Sequence, residues 1–422
     1  MDAWFSRLKI IGVFFPAPNN SFPAPIPLAG VGKKKQHFGL LVVLGALMIF
    51  MPTGTAAAQA QSPQYRSYLR QGIGKALNLE WQSAFGHLQK AVELDREDPT
   101  GYAFLSVVHL FASELSFAEK ERLAYQEPML RYAGAALAKG QKRIERHPED
   151  GQAYLAMALT AIVKIRWAIK QRSYLTVAQE AARAWDNIQR AKAANPQDYD
   201  IYLLMGIFHY HIDQLSGLTR FLSSLLITSG DRRLGLQELR LAAQRGDLLK
   251  ELAQAELSAV LINSEKEPAE ALPLILTLKD EFPGNYHLSF ALATTYAELL
   301  RFEEAFVAAR ELEKGIQSGK PPYVPQLRSR YDSLMGRIFF NQGDYAQAAD
   351  ALQKVLGNQS PYNIRNRAFA LLRLGMIHDV RRERKQAREY YARILEIEGA
   401  EGSAQVQAKK YLSEPYVLPA RS

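Results

Sequence analysis

Histidines, acidic pairs and one basic run are the residues that could do chemistry, because the chain has no cysteine. Disulfides, thiolate metal sites, cysteine nucleophiles and an acylated lipoprotein anchor are therefore excluded. His209 and His211 are the most suggestive pair. On a helix, residues two apart do not face each other, so they cannot share a metal; the spacing predicts one ring toward the core and one toward a groove. His109, His287 and His378 each stand alone. Asp213, Asp231, His209 and Arg232 are close enough in sequence to gather near one irregular segment, and they are the best candidates for an enzymatic cluster. Glu303-Glu304 and the pair Glu396 and Glu398 lie among Arg and Lys, as solvated helix faces do. Gly72-Ile73-Gly74-Lys75 is a fragment of a phosphate loop inside a helical pattern, where packing glycine is the simpler reading. G-x-S-x-G and H-E-x-x-H do not occur. No catalytic set, cofactor site or metal site is expected.

The elements that would carry these residues are helices. Ala, Leu, Glu, Gln, Arg and Lys dominate, and alternating β-branched runs are nearly absent. The net charge of +9 is partly an effect of residues 1–60, which hold five basic residues against Asp2. The remainder is only mildly basic, so no nucleic-acid partner is expected. The densest basic run, Arg381, Arg382, Arg384, Lys385 and Arg388, reads as a solvated turn or as a patch for acidic partners or anionic lipid heads.

Residues 33–60 read as a secretory signal. Lys33 to Lys35 form the positive region, Phe38 to Met51 the apolar region, and Ala58-Gln59-Ala60 the cleavage pattern. Cleavage is expected after Ala60, giving an exported product in the periplasm or cell envelope. An uncleaved segment would instead tether the protein to a membrane. Residues 1–32 carry five prolines and read as disordered or as lying upstream of a true start near Val31.

A phrase recurs along the rest: a charged helix end, a proline, then tyrosine. It stands at Asp98-Pro99-Thr100-Gly101-Tyr102, at His147-Pro148 before Tyr154, at Asn195-Pro196 before Tyr199, and at Phe282-Pro283-Gly284-Asn285-Tyr286. The clearest unit runs Met335, Gly336, Phe339, Gly343-Asp344-Tyr345, Ala348, Leu352, Val355 and Pro361. Others run Leu371, Leu374, Gly375, Ala387, Tyr391, Ile394, with His378 at an aromatic position, and Tyr68, Gly72, Ala84, Leu88, Ala91. Ala255, Ala259, Ala271, Ile275, Leu278 and Leu292, Ala293, Ala305, Ala309, Leu312 form two abutting units, with Ala271 and Ala305 separated by 34 residues. The middle is less regular: Ala184, Ile188, Ala191 end one unit and Tyr202, Met205, Gly206 begin another, followed by an insert from Asp213 to Gly230. Further expansions fall near 112–127 and 166–178.

These units resemble the tetratricopeptide repeat, two antiparallel helices in 34 residues. The resemblance implies an all-α, right-handed superhelical solenoid of about eight helix pairs. It divides into irregular repeats over 61–250, a regular array over 251–398, and a capping helix and tail over 399–422. Ser229 to Leu236 is also similar to a segment of larger tetratricopeptide proteins linked to clearing protein inclusions. Such arrays bind a peptide or protein in a concave groove lined by the first helix of each pair. That register puts Tyr210, His211, His287, Phe290, Arg330, Arg337, Phe340, Asn341, Phe369 and Met376 in the groove. Aromatics mixed with arginine suit peptide recognition. The lysine and asparagine set that grips a C-terminal carboxylate in some relatives is missing, which implies a different ligand class. The apolar insert Leu215 to Ile227 is expected to plug the superhelix or to form an exposed sticky element. The main expectation is a non-catalytic scaffold; a membrane-tethered assembly factor and a helical enzyme or enzyme subunit are the alternatives.

Overall fold

The computed structural model describes residues 61–213, 229–358, 360, 363–397 and 403–418. The signal segment, the stretch before it, the insert Leu215 to Ile227 and Pro361 lie outside the described residues.

The described residues form eight antiparallel helix pairs and one closing helix. The pairs are α1 (Pro63–Leu77) with α2 (Trp81–Leu94), and α3 (Pro99–Leu115) with α5 (Gln126–Arg146), where a short α4 (Glu119–Ala124) intervenes. Next come α6 (Gly151–Lys170) with α7 (Tyr174–Ala194), α8 (Ile201–Asp213) with α9 (Arg232–Arg245), and α10 (Lys250–Val260) with α11 (Pro268–Glu281). The last are α12 (Tyr286–Glu298) with α13 (Phe302–Ser318), α14 (Arg328–Gln342) with α15 (Tyr345–Gly357), and α16 (Ile364–Val380) with α17 (Arg384–Leu395); α18 (Ser403–Ser413) follows. The expansion near 112–127 is α4, and the one near 166–178 lengthens α6 and α7. One continuous core runs from Tyr65 to Ile338, so packing does not break at residue 250. A second core runs from Phe340 to Ala408.

The sequence marks six of the helix starts with a local acceptor. Ser62, Asp98, Asp150, Asp231, Asn285 and Asp344 accept from backbone N–H groups one turn in, and proline opens α1, α3 and α11. Within pairs, close approach is set by glycine. A Cβ on Gly72 would lie 2.5 Å from Leu88, and one on Gly336 2.5 Å from Leu352; Gly375 faces Tyr391 in the same way. In each case the large partner sits sixteen residues further on. Gly206 repeats the contact with Leu239, at a spacing widened by the insert.

The turns between paired helices use left-handed backbone. Gly343 does so with φ 92°, but Leu79, Arg172, Leu300 and Arg382 adopt φ from 54° to 64° at corresponding corners. Left-handed backbone costs a β-carbon residue about 1–2 kcal/mol. Leu300 is 51% exposed, so its side chain contributes little packing. Leu300→Gly should stabilise the protein by about 0.5–1 kcal/mol once glycine's entropic cost is subtracted. A lowered urea midpoint would show that the leucine packs in solution.

One departure from a simple stack is long-range. The Asn78 carboxamide oxygen accepts from Gly284 N at 2.8 Å, and Asn285 donates to the Leu77 carbonyl at 2.7 Å while capping α12. Arg66 and Arg70 pair with Asp247. The first pair therefore closes onto two junctions, that of the fourth and fifth pairs at Asp247 and that of the fifth and sixth at Gly284 and Asn285, some 180–210 residues away along the chain, and the groove becomes a chamber.

Candidate functional site

The chamber is a cavity of about 730 Å³, within the usual range for a ligand site. Its main wall is the first helix of the sixth, seventh and eighth pairs: α12, α14 and α16. The corner Glu114 to Phe117, the turn through Lys266, and Tyr411 and Tyr416 complete it. Of the ten groove residues expected from the register, eight line this one cavity: His287, Phe290, Arg330, Arg337, Phe340, Asn341, Phe369 and Met376. Tyr210 and His211 do not. Tyr210 is fully buried and donates to Glu265, and His211 is 8% exposed with Nε2 3.0 Å from Glu256. His209, also buried, has Nδ1 2.5 Å from Glu238. Both rings of the His209/His211 pair thus face neighbouring helices rather than one core and one groove, because the fourth pair is packed on both sides.

The other candidate chemistry is dispersed. Arg232 pairs with Glu265, Asp231 caps α9, and His209 turns to Glu238. Among the described residues, no group of three or more His, Asp or Glu side chains could hold a metal ion, and no helix is long and apolar enough to cross a membrane.

The electrostatics of the chamber are one-sided. Arg337 Nε donates to Glu298 at 2.9 Å, and Asn341 donates to the same carboxylate at 2.9 Å. Burial opposes ionisation of Glu298, but Arg337 and Asn341 outweigh it and hold its carboxyl below the usual range. Glu114 is taken up by Arg166. Among the described residues no carboxylate pairs with Arg330, Arg365 or Arg373. Arg330 donates to His287 Nδ1 at 2.8 Å and lies 4.2 Å from the Phe290 ring centre; Arg365 and Arg373 flank the Phe369 ring at 5.8 and 5.9 Å. Water reaches all three side chains, yet protein crowds around them. That desolvation, with Arg365 nearby, pushes Arg330 down to about 10; desolvation and Arg337 push Arg373 down to about 9. All three remain charged at neutral pH. His287 is driven well below its ordinary range by burial and by Arg330, so it is a neutral acceptor for that guanidinium.

The register reading missed Arg365, Arg373, Lys266 and Tyr416. Arg365, Phe369 and Arg373 stand at i, i+4 and i+8, a single helix face that the spacing alone could have revealed. Lys266 carried no signal, because it follows a π-helical turn, Leu261–Glu265, and takes left-handed φ 62°. Tyr416 enters from the tail, which Asp379 holds: its carboxylate accepts from Tyr416 N at 2.8 Å, Tyr391 Oη at 2.9 Å and Arg384 at 3.0 Å. Arg384, from the basic run, also donates to the Leu412 carbonyl at 3.0 Å.

No family model matches the chain, and no curated protein matches it. Among solved structures, the human IFIT1 dimer with m7Gppp-AAAA is 13% identical, covering 83% of this chain and 84% of that one, with a TM-score of 0.44. A tetratricopeptide repeat protein from Parabacteroides merdae is 13% identical, with coverage of 83% and 98% and a TM-score of 0.27. Yeast Tom70 is 11% identical, with coverage of 83% and 95% and a TM-score of 0.29. These overlays are partial and carry no argument about ligands. The fold follows from the geometry of the described residues: eight antiparallel pairs, glycine-to-large-residue crossings sixteen residues apart, and first helices lining one concavity. By that geometry the chain is a tetratricopeptide-like helical-repeat solenoid.

Proposed function

We propose that this protein is a non-catalytic interaction scaffold that takes a segment of a partner protein into the chamber. The observation that carries the reading is the convergence of eight groove-register residues on one 730 Å³ cavity. Aromatic and arginine side chains at a concave, desolvated surface are the usual anchors of protein recognition. The scaffold acts outside the cytoplasm, after export and cleavage following Ala60. The intact mass of the product made with its signal tests that point: a species retaining Phe38 to Met51 in the membrane fraction would replace the soluble scaffold with a membrane-tethered one.

The chamber itself is tested by filling it. Ser333 lines the cavity on α14 and is partly exposed there. Ser333→Trp should leave the helical circular dichroism and melting temperature near wild type. Capture of partners from the envelope fraction of the source organism should fall at least ~10-fold, the scale of a hot-spot loss. Undiminished capture by the filled variant would move the interaction to another face.

A further inference from the structure

The cations of the chamber fall into two groups. Arg330 and Arg365 are near enough to repel one another, and so are Arg337, Arg373 and Lys266. The two groups are separated along both helices that carry them. Arg330 and Arg337 are seven residues apart on α14, and Arg365 and Arg373 eight apart on α16. At 1.5 Å per residue these are separations of about 10 and 12 Å. In the second group Glu298 already neutralises Arg337. Each group therefore keeps uncompensated positive charge, Arg365 with Arg330 in one and Arg373 with Lys266 in the other.

A single compact anion cannot meet both groups at once. A chain with anions spaced along it can. An extended peptide advances about 3.1–3.4 Å per residue, so side chains three or four residues apart lie about 10–13 Å apart, and at these spacings polyproline and β conformations return to the same face. Guanidinium matches carboxylate as a bidentate donor, and the Phe369 ring between Arg365 and Arg373 offers an apolar surface for the residues in between. We propose that the chamber binds an extended acidic peptide segment, with two Asp or Glu side chains three or four residues apart, one on Arg330 and Arg365 and the other on Arg373 and Lys266. This rests on the reading of the chamber as a partner-binding site and names the chemistry of what enters it.

The same geometry carries a second expectation. Like charges crowded together with too few counter-ions oppose folding, and Glu298 alone serves the three cations of the second group, so removing one cation should not harm the unliganded protein. The test is an array of random octapeptides probed with the labelled full chain, alongside Arg330→Gln and Arg373→Gln. Octamers with acidic residues at i and i+3 or i+4 should be enriched. Each variant should weaken the best octamer at least ~10-fold, measured by fluorescence anisotropy, while melting at or above the wild-type temperature. Enrichment of octamers without acidic pairs would overturn this inference and leave the peptide-binding reading standing. Failure to hold any octamer would overturn both. A single-stranded oligonucleotide that displaces the best octamer at lower concentration than unlabelled octamer would also overturn it, in favour of a nucleic-acid ligand. A variant that melts well below wild type would show the arginine to be structural, and would overturn its role here.

Discussion

Asp98→Ala should destabilise the amino-terminal repeats by about 3–5 kcal/mol, the range for breaking a buried ion pair from one side. Asp98 is 1% exposed. It accepts from the Tyr65 hydroxyl at 2.8 Å, Thr100 N at 2.8 Å, Arg143 at 2.8 Å and Gln61 at 3.0 Å. One carboxylate thus caps α3, anchors α1 through its buried tyrosine, and fixes α5 through an arginine. Burial, with the Asp98 carboxylate beside it, drives the Tyr65 phenol far above its ordinary range, so it stays a neutral donor. Truncation leaves Tyr65 and the α3 amino terminus without their acceptor and removes one of the two carboxylates that Arg143 holds, the other being Asp150. Urea unfolding followed by Trp81 fluorescence and by hydrogen exchange over residues 63–146 should show these helices opening first. Asp98→Asn keeps the shape and an acceptor, and should lose about half as much. A loss under ~1 kcal/mol for the alanine variant would mean that water and Asp150 take over the role.

Gly235→Ala should be the most damaging glycine-to-alanine change among the described residues, at about 3 kcal/mol or more. Its β-carbon would lie 2.5 Å from Tyr210 N, 2.8 Å from Tyr210 Cβ and 2.9 Å from the Gly206 carbonyl. Most of those atoms are backbone, so no rotamer change can clear them, and α8 and α9 would have to move apart. Tyr210 and the neighbouring His209 and His211 are buried at that interface. Trp185 on α7, 5.6 Å from Phe208 and 5.2 Å from His209, reports any accompanying shift of α8 through its fluorescence. Gly134→Ala is the contrasting case. Gly134 lies on α5 with nothing within 4 Å of an added methyl, and alanine there should stabilise by about 0.5–1 kcal/mol. Equal effects from the two substitutions would contradict the close crossing of α8 and α9.

These two cases also mark what could be read from the sequence. Helix pairs were legible because Gly72, Gly336 and Gly375, with Leu88, Leu352 and Tyr391, obey one spacing set by how closely two helices can cross. The groove was legible over α12, α14 and α16, where that spacing fixes which face turns inward. It failed at Tyr210 and His211, because in the fourth pair the inward face meets other helices: Glu256 on α10 and Glu265 just beyond it reach across to bond them. Register arithmetic gives the face of a helix but not how closely the next pair's first helix covers it, so it could not foresee these contacts. Lys266 and Tyr416 reach the chamber from a π-helical turn and from a folded-back tail, neither of which has a repeat position. The closure of Asn78 on Gly284 was equally invisible, since its two sides belong to repeats that share no local signal.

That closure has a consequence for the order of events as the chain is made. Leu77 and Asn78 emerge roughly 200 residues ahead of Gly284 and Asn285. At synthesis rates of about 5–20 residues per second, the first pair waits on the order of 10–40 s for its counterpart. During that interval α1 and α2 can pair with each other and stack on α3, while the seam that carries Arg66, Arg70 and Asn78 stays open to solvent. The chamber takes its shape only after the sixth, seventh and eighth pairs and the tail have followed. Any partner that enters it meets a nearly finished molecule, and the nascent first pair is the stretch for which a holding chaperone would have the longest opportunity.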